Sequence, residues 1–291
     1  PPLADGSRSP TSRLTTRKKP VSAGFAEPIA MAGWTDAHNH LQDPRLGDAA
    51  PVIDAMRSAG VGRCVVNATR EDDWAAVERL ALAYPDFVTP AFGIHPWHAH
   101  TVSDGWLERL DKLLENHPQA SIGEVGLDHW ISSPDLDTQR PVFAEHLRLA
   151  RETKRPVTIH CLKAWGALFD VFAEQSPPET FLMHSFGGSI ETARRLIPLG
   201  AYFSFSGYFL NKRKAAVLDV FSQLPHDRIL LETDAPDMRP PDEFVTHSLA
   251  DKVNHPANLP AIGRALANAL GMNEESLAAL TRENAARCFN L

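Results

Sequence analysis

The stretch WTDAHNHL at positions 34–41 sets the pattern for the rest of the chain. Side chains alternate between the two faces of a β-strand, so Asp36, His38 and His40 share one face if this stretch is a strand. Two imidazoles on one rigid face are a natural pair of metal ligands, because neutral histidine nitrogen binds zinc, iron, manganese and nickel alike. A histidine is also commonly a hydrogen-bonded structural residue, so the pair gains meaning only from the residues that follow it.

The composition is that of one globular domain. The chain has 291 residues, of which 43% are hydrophobic, and an α/β barrel of this length is routinely a single domain. No apolar run approaches the roughly 18 residues that a membrane span needs. The three cysteines, at positions 64, 161 and 288, are widely spaced and odd in number, so no disulfide framework is indicated. We therefore expect a cytoplasmic protein with no membrane contact and no obligate protein partner.

Residues 1–30 differ from the rest in composition. They are rich in Pro, Ser and Thr and lack a hydrophobic period, so we predict a tail there and a catalytic domain over residues 31–291. The tail lacks the apolar core of a secretory signal and fits an added segment, a natural extension or part of a transit peptide. The net charge is −7 for the whole chain and −10 without the tail's five basic and two acidic residues. This charge argues against wrapping of long duplex nucleic acid but permits contact with a strand end.

Short apolar runs alternate with amphipathic segments from residue 34 onward. Apolar residues spaced by three and four predict helices between the runs. Two more helices are predicted at 259–270 and 274–288, with Gly271 ending the first and Asn273 capping the second. Eight strand–helix repeats predict a single (β/α)8 barrel, a TIM barrel of the α/β class, with extra C-terminal helices. The predicted strands are 34–39, 62–67, 87–93, 121–126, 156–161, 180–184, 201–205 and 229–233.

Five further polar residues fall at predicted strands, where barrel active sites lie at the C-terminal rim. Each alone could be a satisfied polar residue, although an isolated charge after an apolar run is costly to bury. Together with the two histidines of the first stretch, these groups would converge on one rim, and metal binding would best relieve their burial. The five are His95, Glu124, His160, His184 and Asp234.

Several neighbouring polar residues have two interpretations. Asp128 is either a partner for a ligand histidine or a turn-forming loop residue. Glu232 lies one layer below the strand end, which favours a structural ion pair over catalysis. Cys161 should point away from the neighbouring histidine and into the core. His98 and His100 form a second His-x-His pair, but they follow a proline in a predicted loop, so we do not count them as a metal site.

Basic and aromatic residues also follow several strands. The run Lys212-Arg213-Lys214 could contact phosphates, but short charged runs more often begin a solvated helix. Trp97, Trp165 and Tyr208 could stack on bases or sugars, whereas packing is the more common role for each.

The ordered set of motifs resembles the TatD family of metal-dependent hydrolases, within the amidohydrolase superfamily. The likeness spans residues 34 to 289, and the combination of motifs is specific although no single motif is. It implies a (β/α)8 barrel that binds up to two divalent cations. The matching stretches are TDAHNHL (35–41), GIHP (93–96), GEVGLD (123–128), IHC (159–161), MHSFGG (183–188), ETDAP (232–236) and ENAARCF (283–289).

The resemblance also implies how the ligands divide between the cations, with Glu124 as the bridge. One ion would be held by His38, His40, Glu124 and Asp234, and the other by Glu124, His160 and His184. Nitrogen and carboxylate donors are compatible with Zn, Mn, Ni, Fe or Mg, so the donor set leaves the metal open.

Family members commonly hydrolyse phosphodiester bonds in DNA, often from the 3′ end, and some act on other bonds such as the ester of D-aminoacyl-tRNA. This chain departs from the common pattern in two places. It has LKAWG at 162–166, where many relatives carry an Arg-Asp-Ala-like stretch, and His129-Trp130, where a pair of aromatic residues is frequent. Both departures lie beside the expected pocket and concern the substrate rather than the metals.

We expect a divalent-metal-dependent hydrolase, specifically a DNase or 3′ exonuclease that acts on DNA ends or single-stranded nucleic acid through a metal-activated water. Asp234 would orient the water and accept its proton, and Glu124 would bridge the cations. His95 would contact the phosphate or assist the leaving oxygen, unless it is a structural histidine before Pro96. The alternatives are a hydrolase of another ester or amide bond and a non-catalytic barrel that binds a partner; retention of every ligand position disfavours the second.

Overall fold

A computed structural model describes residues 33–291, which contain eight parallel strands hydrogen-bonded in chain order. All eight predicted strands are present, and each boundary agrees within two residues. The predicted tail over residues 1–30 lies outside the described residues. The strands are β1 (Trp34–Asn39), β2 (Val61–Asn67), β3 (Val88–Phe92), β4 (Ser121–Asp128), β5 (Val157–Leu162), β6 (Phe181–Met183), β7 (Ala201–Ser206) and β8 (Ile229–Glu232).

One α-helix follows each of the first seven strands, and the last two helices follow β8. The first C-terminal helix has the predicted bounds, and the second ends one residue later than predicted. Gly271 takes a left-handed φ of 65° after the first, and the Asn273 side chain accepts a 2.7 Å hydrogen bond from the Ser276 N–H at the start of the second. The helices are α1 (Ala49–Ala59), α2 (Glu71–Ala83), α3 (Trp106–Asn116), α4 (Leu136–Thr153), α5 (Trp165–Glu174), α6 (Ile190–Leu196), α7 (Ala215–Phe221), α8 (Leu259–Leu270) and α9 (Glu274–Phe289).

The ends of β1 and β8 are joined by hydrogen bonds, which brings the barrel nearly to closure. The His40 N–H donates to the Ala235 carbonyl at 2.8 Å, and the Asp234 N–H donates to the His38 carbonyl at 3.0 Å. Below them, the buried Asp36 carboxylate accepts hydrogen bonds from the backbone and the hydroxyl of Thr233. These bonds fix the two histidines of β1 against the residue after β8.

The opposite end of the barrel is covered by α9. Asn284 donates hydrogen bonds to the carbonyls of His226 and Ile229 at the start of β8. Cys288 and Phe289 belong to a buried cluster that includes residues of several strands. The covered end is thus the N-terminal end of the strands, and the C-terminal rim carries the polar residues. None of the helices described is long and apolar enough to cross a membrane.

Candidate metal centre

The two histidines of the β1 stretch lie beside the aspartate that follows β8. His38 Nε2 and His40 Nε2 are 3.2 Å apart, and both face the same oxygen of Asp234, at 3.3 and 3.5 Å. All three side chains are buried. Each residue offers one donor atom, and the three atoms lie within 4.8 Å of one another, which is close enough for a single cation.

Glu124 is the central carboxylate of the site, and its two oxygens face different sets of histidines. Oε2 lies 3.3 Å from His38 Nε2 and 3.4 Å from His40 Nε2. Oε1 lies 2.8 Å from His184 Nε2 and 2.9 Å from His160 Nδ1. A carboxylate with one oxygen toward each group has the geometry of a bridging ligand.

His160 is positioned by the close approach of β4 and β5. Gly126 pairs with His160 across the two strands, and its φ is 143°. A Cβ atom at this position would lie only 2.0 Å from the His160 carbonyl oxygen, so this strand contact requires glycine. His160 Nε2 also lies 3.0 Å from Asp128 Oδ2, while Nδ1 faces the centre. Asp128 therefore orients the ring, as one of its two interpretations from sequence suggests.

A second buried carboxylate, Glu232, holds the loop that carries His184. It accepts hydrogen bonds from the Ser185 N–H at 2.8 Å and from the hydroxyls of Ser185 and Ser204. His184 Nδ1 lies 3.5 Å from the same carboxylate. The sequence analysis did not single out Ser204; its signal was the alternation of Ser204 and Ser206 with phenylalanines in β7.

His95 lies inside the centre. Its Nε2 is 3.3 Å from Glu124 Oε1, and its Nδ1 accepts a 3.1 Å hydrogen bond from the Trp97 N–H at the start of a short 3₁₀ turn. Burial is the main cause that lowers the His95 pKa to about 4, so the ring is neutral near pH 7. With Nδ1 as an acceptor, the proton lies on Nε2 and points toward the centre.

The carboxyls of the centre stay ionised despite their burial. Burial alone would raise the pKa of Glu124, but the charge of the neighbouring His184 imidazole holds it well below its usual range. Asp234 is also buried, and hydrogen bonds from the β1 histidines hold its pKa low. The carboxylates in turn raise the pKa of His184 above its ordinary value. A divalent cation fits this donor set, because it can replace protons as the positive partner between carboxylates and imidazoles.

The remaining residues singled out from sequence lie around this centre. His98 and His100 join none of the donor groups found among residues 33–291. Cys161 packs against the main core, as predicted, and also borders a cavity of about 600 Å³ above the centre. Trp97 is 48% exposed, and its indole N–H donates to Asp128 at 2.7 Å. The cavity is also bordered by His160, His184, Asp234, Trp165, Tyr208 and Lys214.

The nearly closed barrel of eight parallel strands and the buried nitrogen and oxygen donors at one rim are typical of a metal-dependent hydrolase of the TIM-barrel class. A family model described as TatD related DNase matches residues 35–290. The chain belongs to the TatD family of metal-dependent hydrolases. The family and the fold predicted from the sequence are thus confirmed.

Known relatives cover nearly the whole described domain. The chain is 34% identical to the uncharacterized metal-dependent hydrolase YjjV of Escherichia coli, over 70% of this chain and 80% of YjjV. The crystal structure of YjjV aligns with a TM-score of 0.81 at 30% identity, over 89% of this chain and 98% of that one. A protein of Edwardsiella piscicida named 3'-5' ssDNA/RNA exonuclease TatD is 29% identical, over 84% of this chain and 94% of its own length.

Proposed function

We propose that the protein hydrolyses phosphodiester bonds at the 3′ ends of single-stranded nucleic acid with two divalent cations. His38, His40, Glu124 and Asp234 would hold one cation, and Glu124, His160 and His184 would hold the other. The observation that carries the proposal is the position of Glu124, whose two oxygens face these two sets of donors. The name of the 29%-identical relative from Edwardsiella supports the choice of substrate.

Bound divalent cations would supply an acidified water and neutralise the charge that develops on the phosphate. Asp234 is the residue best placed to orient that water and accept its proton, because its low pKa keeps it ionised and its side chain borders the cavity. The Nε2 proton of His95 points toward Glu124 Oε1 at the centre, where it would donate a hydrogen bond to a phosphate oxygen. His95 also caps the turn that follows it, so both roles considered from sequence fit its position.

The test uses two labelled substrates and a metal assay. The purified protein is incubated with a 3′-ended single-stranded oligonucleotide and, separately, with D-aminoacyl-tRNA, before and after chelation. Release of mononucleotides that stops on chelation and returns with added metal supports the proposal. Loss of only the amino acid from the tRNA would indicate the alternative ester hydrolase. An unchanged rate in metal-free protein would contradict both.

A further inference from the structure

One wall of the cavity above the candidate metal centre is formed by residues that have no role in the proposed reaction. Trp130 and Lys163 stand on it, in the loops after β4 and β5, and both are exposed. Trp130 is 65% exposed, which is unusual for so large an apolar side chain. These two positions fall in the segments where the sequence departs from the pattern that the TatD resemblance implies.

The two side chains form a pair. The Lys163 ammonium lies 3.9 Å from the centre of the Trp130 ring, within the range of a cation–π interaction. The backbone N–H of Trp130 also donates a 2.6 Å hydrogen bond to Asp128 Oδ1, and the other oxygen of this carboxylate orients His160. One carboxylate therefore links the exposed pair to a histidine of the metal centre.

A second aromatic–basic pair borders the same cavity from the segment after β7. The Lys214 ammonium is 5.4 Å from the centre of the Tyr208 ring, and the Tyr208 hydroxyl accepts a 2.6 Å hydrogen bond from Arg213. Lys212 and Arg213 border a second cavity, of about 560 Å³. Basic groups are thus concentrated at this rim although the whole chain has a net charge of −7.

Aromatic faces beside lysines at the edge of a hydrolytic site are the combination that binds unpaired nucleotides, because bases stack on the rings and phosphates pair with the cations. We propose that Trp130, Lys163, Tyr208 and Lys214, which we call the outer cleft, hold the nucleotide next to the scissile bond. This inference rests on the proposed function and deepens it. A base within a duplex has no free face to offer, so the outer cleft selects single-stranded ends.

The test measures binding and turnover separately, with the full-length metal-loaded protein. Binding is followed by fluorescence anisotropy of a labelled oligo-dT with phosphorothioate linkages, which resist hydrolysis. Replacing Trp130→Ala or Lys163→Glu should each raise the Kd roughly five- to tenfold, the size of effect that a lost stacking contact gives. Trp130→Phe and Lys163→Arg, which keep the ring and the charge, should stay within about twofold of the wild type. The exposed Lys112 on α3 borders neither cavity, so Lys112→Glu is the matched charge-reversal control.

Turnover of an ordinary oligonucleotide distinguishes the two proposals. The outer-cleft variants should change KM far more than kcat, because the contacts they remove are remote from the reacting atoms. If all variants bind and cleave the oligonucleotide as the wild type does, the outer cleft is wrong and the nuclease function stands. If the wild type neither binds nor cleaves nucleic acid, both proposals are wrong. Thermal unfolding of each variant separates a binding defect from a folding defect.

Discussion

The inner and outer parts of the site are built in opposite ways. The candidate metal centre uses side chains within the strands or shortly after them, and His38 and Glu124 are 0% and 2% exposed. The outer cleft uses residues of the following loops, and Trp130 is 65% exposed. Strand ends of a barrel are rigid and can hold atoms within tenths of an ångström, whereas loops can change without disturbing them. On the proposed function, the chemistry and the choice of substrate would be carried by separate parts of the molecule.

The largest expected effect comes from breaking the centre itself. Glu124→Gln keeps the size of the side chain but removes the charge that faces both donor sets, so kcat should fall on the order of a thousandfold, as for other losses of a preorganised catalytic charge. Metal content, measured by mass spectrometry on the purified variant, should fall with it. The control is Glu115→Gln, an exposed acid on α3. Full metal content together with full activity in Glu124→Gln would show that this residue is not needed to hold the metal or for catalysis.

The sequence predicted which residues would meet at the inner part of the site, because the pattern that identifies them is local. Their role as metal ligands stays a prediction. The period of two in WTDAHNHL and the polar residue at the end of each apolar run follow from strand geometry, and chain order then places those ends on one rim. The outer cleft could not be predicted in this way. Trp130 and Lys163 meet only because β4 and β5 are neighbours, and loop residues have no periodicity that shows where they point.

Asp128 shows how far a role can be predicted from the sequence for a single residue. Its position after β4 left two interpretations open, a partner for a ligand histidine or a turn former. In the structure one oxygen contacts His160 and the other accepts the Trp130 N–H, so it does both. The sequence does not show that one residue has both roles, because the contact with His160 depends on how β4 and β5 lie against each other.

A smaller effect is expected from Asp128→Asn. Because Asp128 contacts both the metal centre and the outer cleft, this variant shows which of the two it serves. The amide retains the shape but loses the charge that supports the His160 ring, so metal affinity or kcat should fall roughly 10- to 100-fold. KM should change little, because the amide oxygen can still accept the hydrogen bond from the Trp130 N–H. The measurement is a metal titration of activity together with full kinetics. An effect on KM alone would show that Asp128 serves only the outer cleft.

The smallest expected effect comes from a buried histidine outside the centre. It tests whether burial alone shifts a histidine pKa in the direction seen at the centre. His146 on α4 is fully buried and packs against Trp106. Its Nδ1 forms a 2.7 Å hydrogen bond with the Val142 carbonyl, and no carboxylate of the described residues bonds to the ring. Burial lowers its pKa to about 4, whereas nearby carboxylates raise the pKa of His184, which is also buried. The neighbouring charge, and not burial, therefore separates the two histidines.

This contrast has a measurable consequence for stability. His146 is neutral in the folded state near pH 7, because its folded pKa lies below its unfolded value of about 6.5. As the pH falls, the unfolded chain therefore takes up a proton on this group before the folded protein does, which favours unfolding. The contribution of His146 to the free energy of unfolding is fully present above its unfolded pKa and is lost as the pH falls toward its folded pKa. Between about pH 7 and pH 5 the wild type should lose about 2 kcal/mol of unfolding free energy through this group. His146→Leu should lack that part of the loss, whereas His100→Leu, at an exposed position, should keep it. Urea unfolding of the three proteins at both pH values provides the comparison, and equal pH slopes would show that His146 is not held neutral by burial.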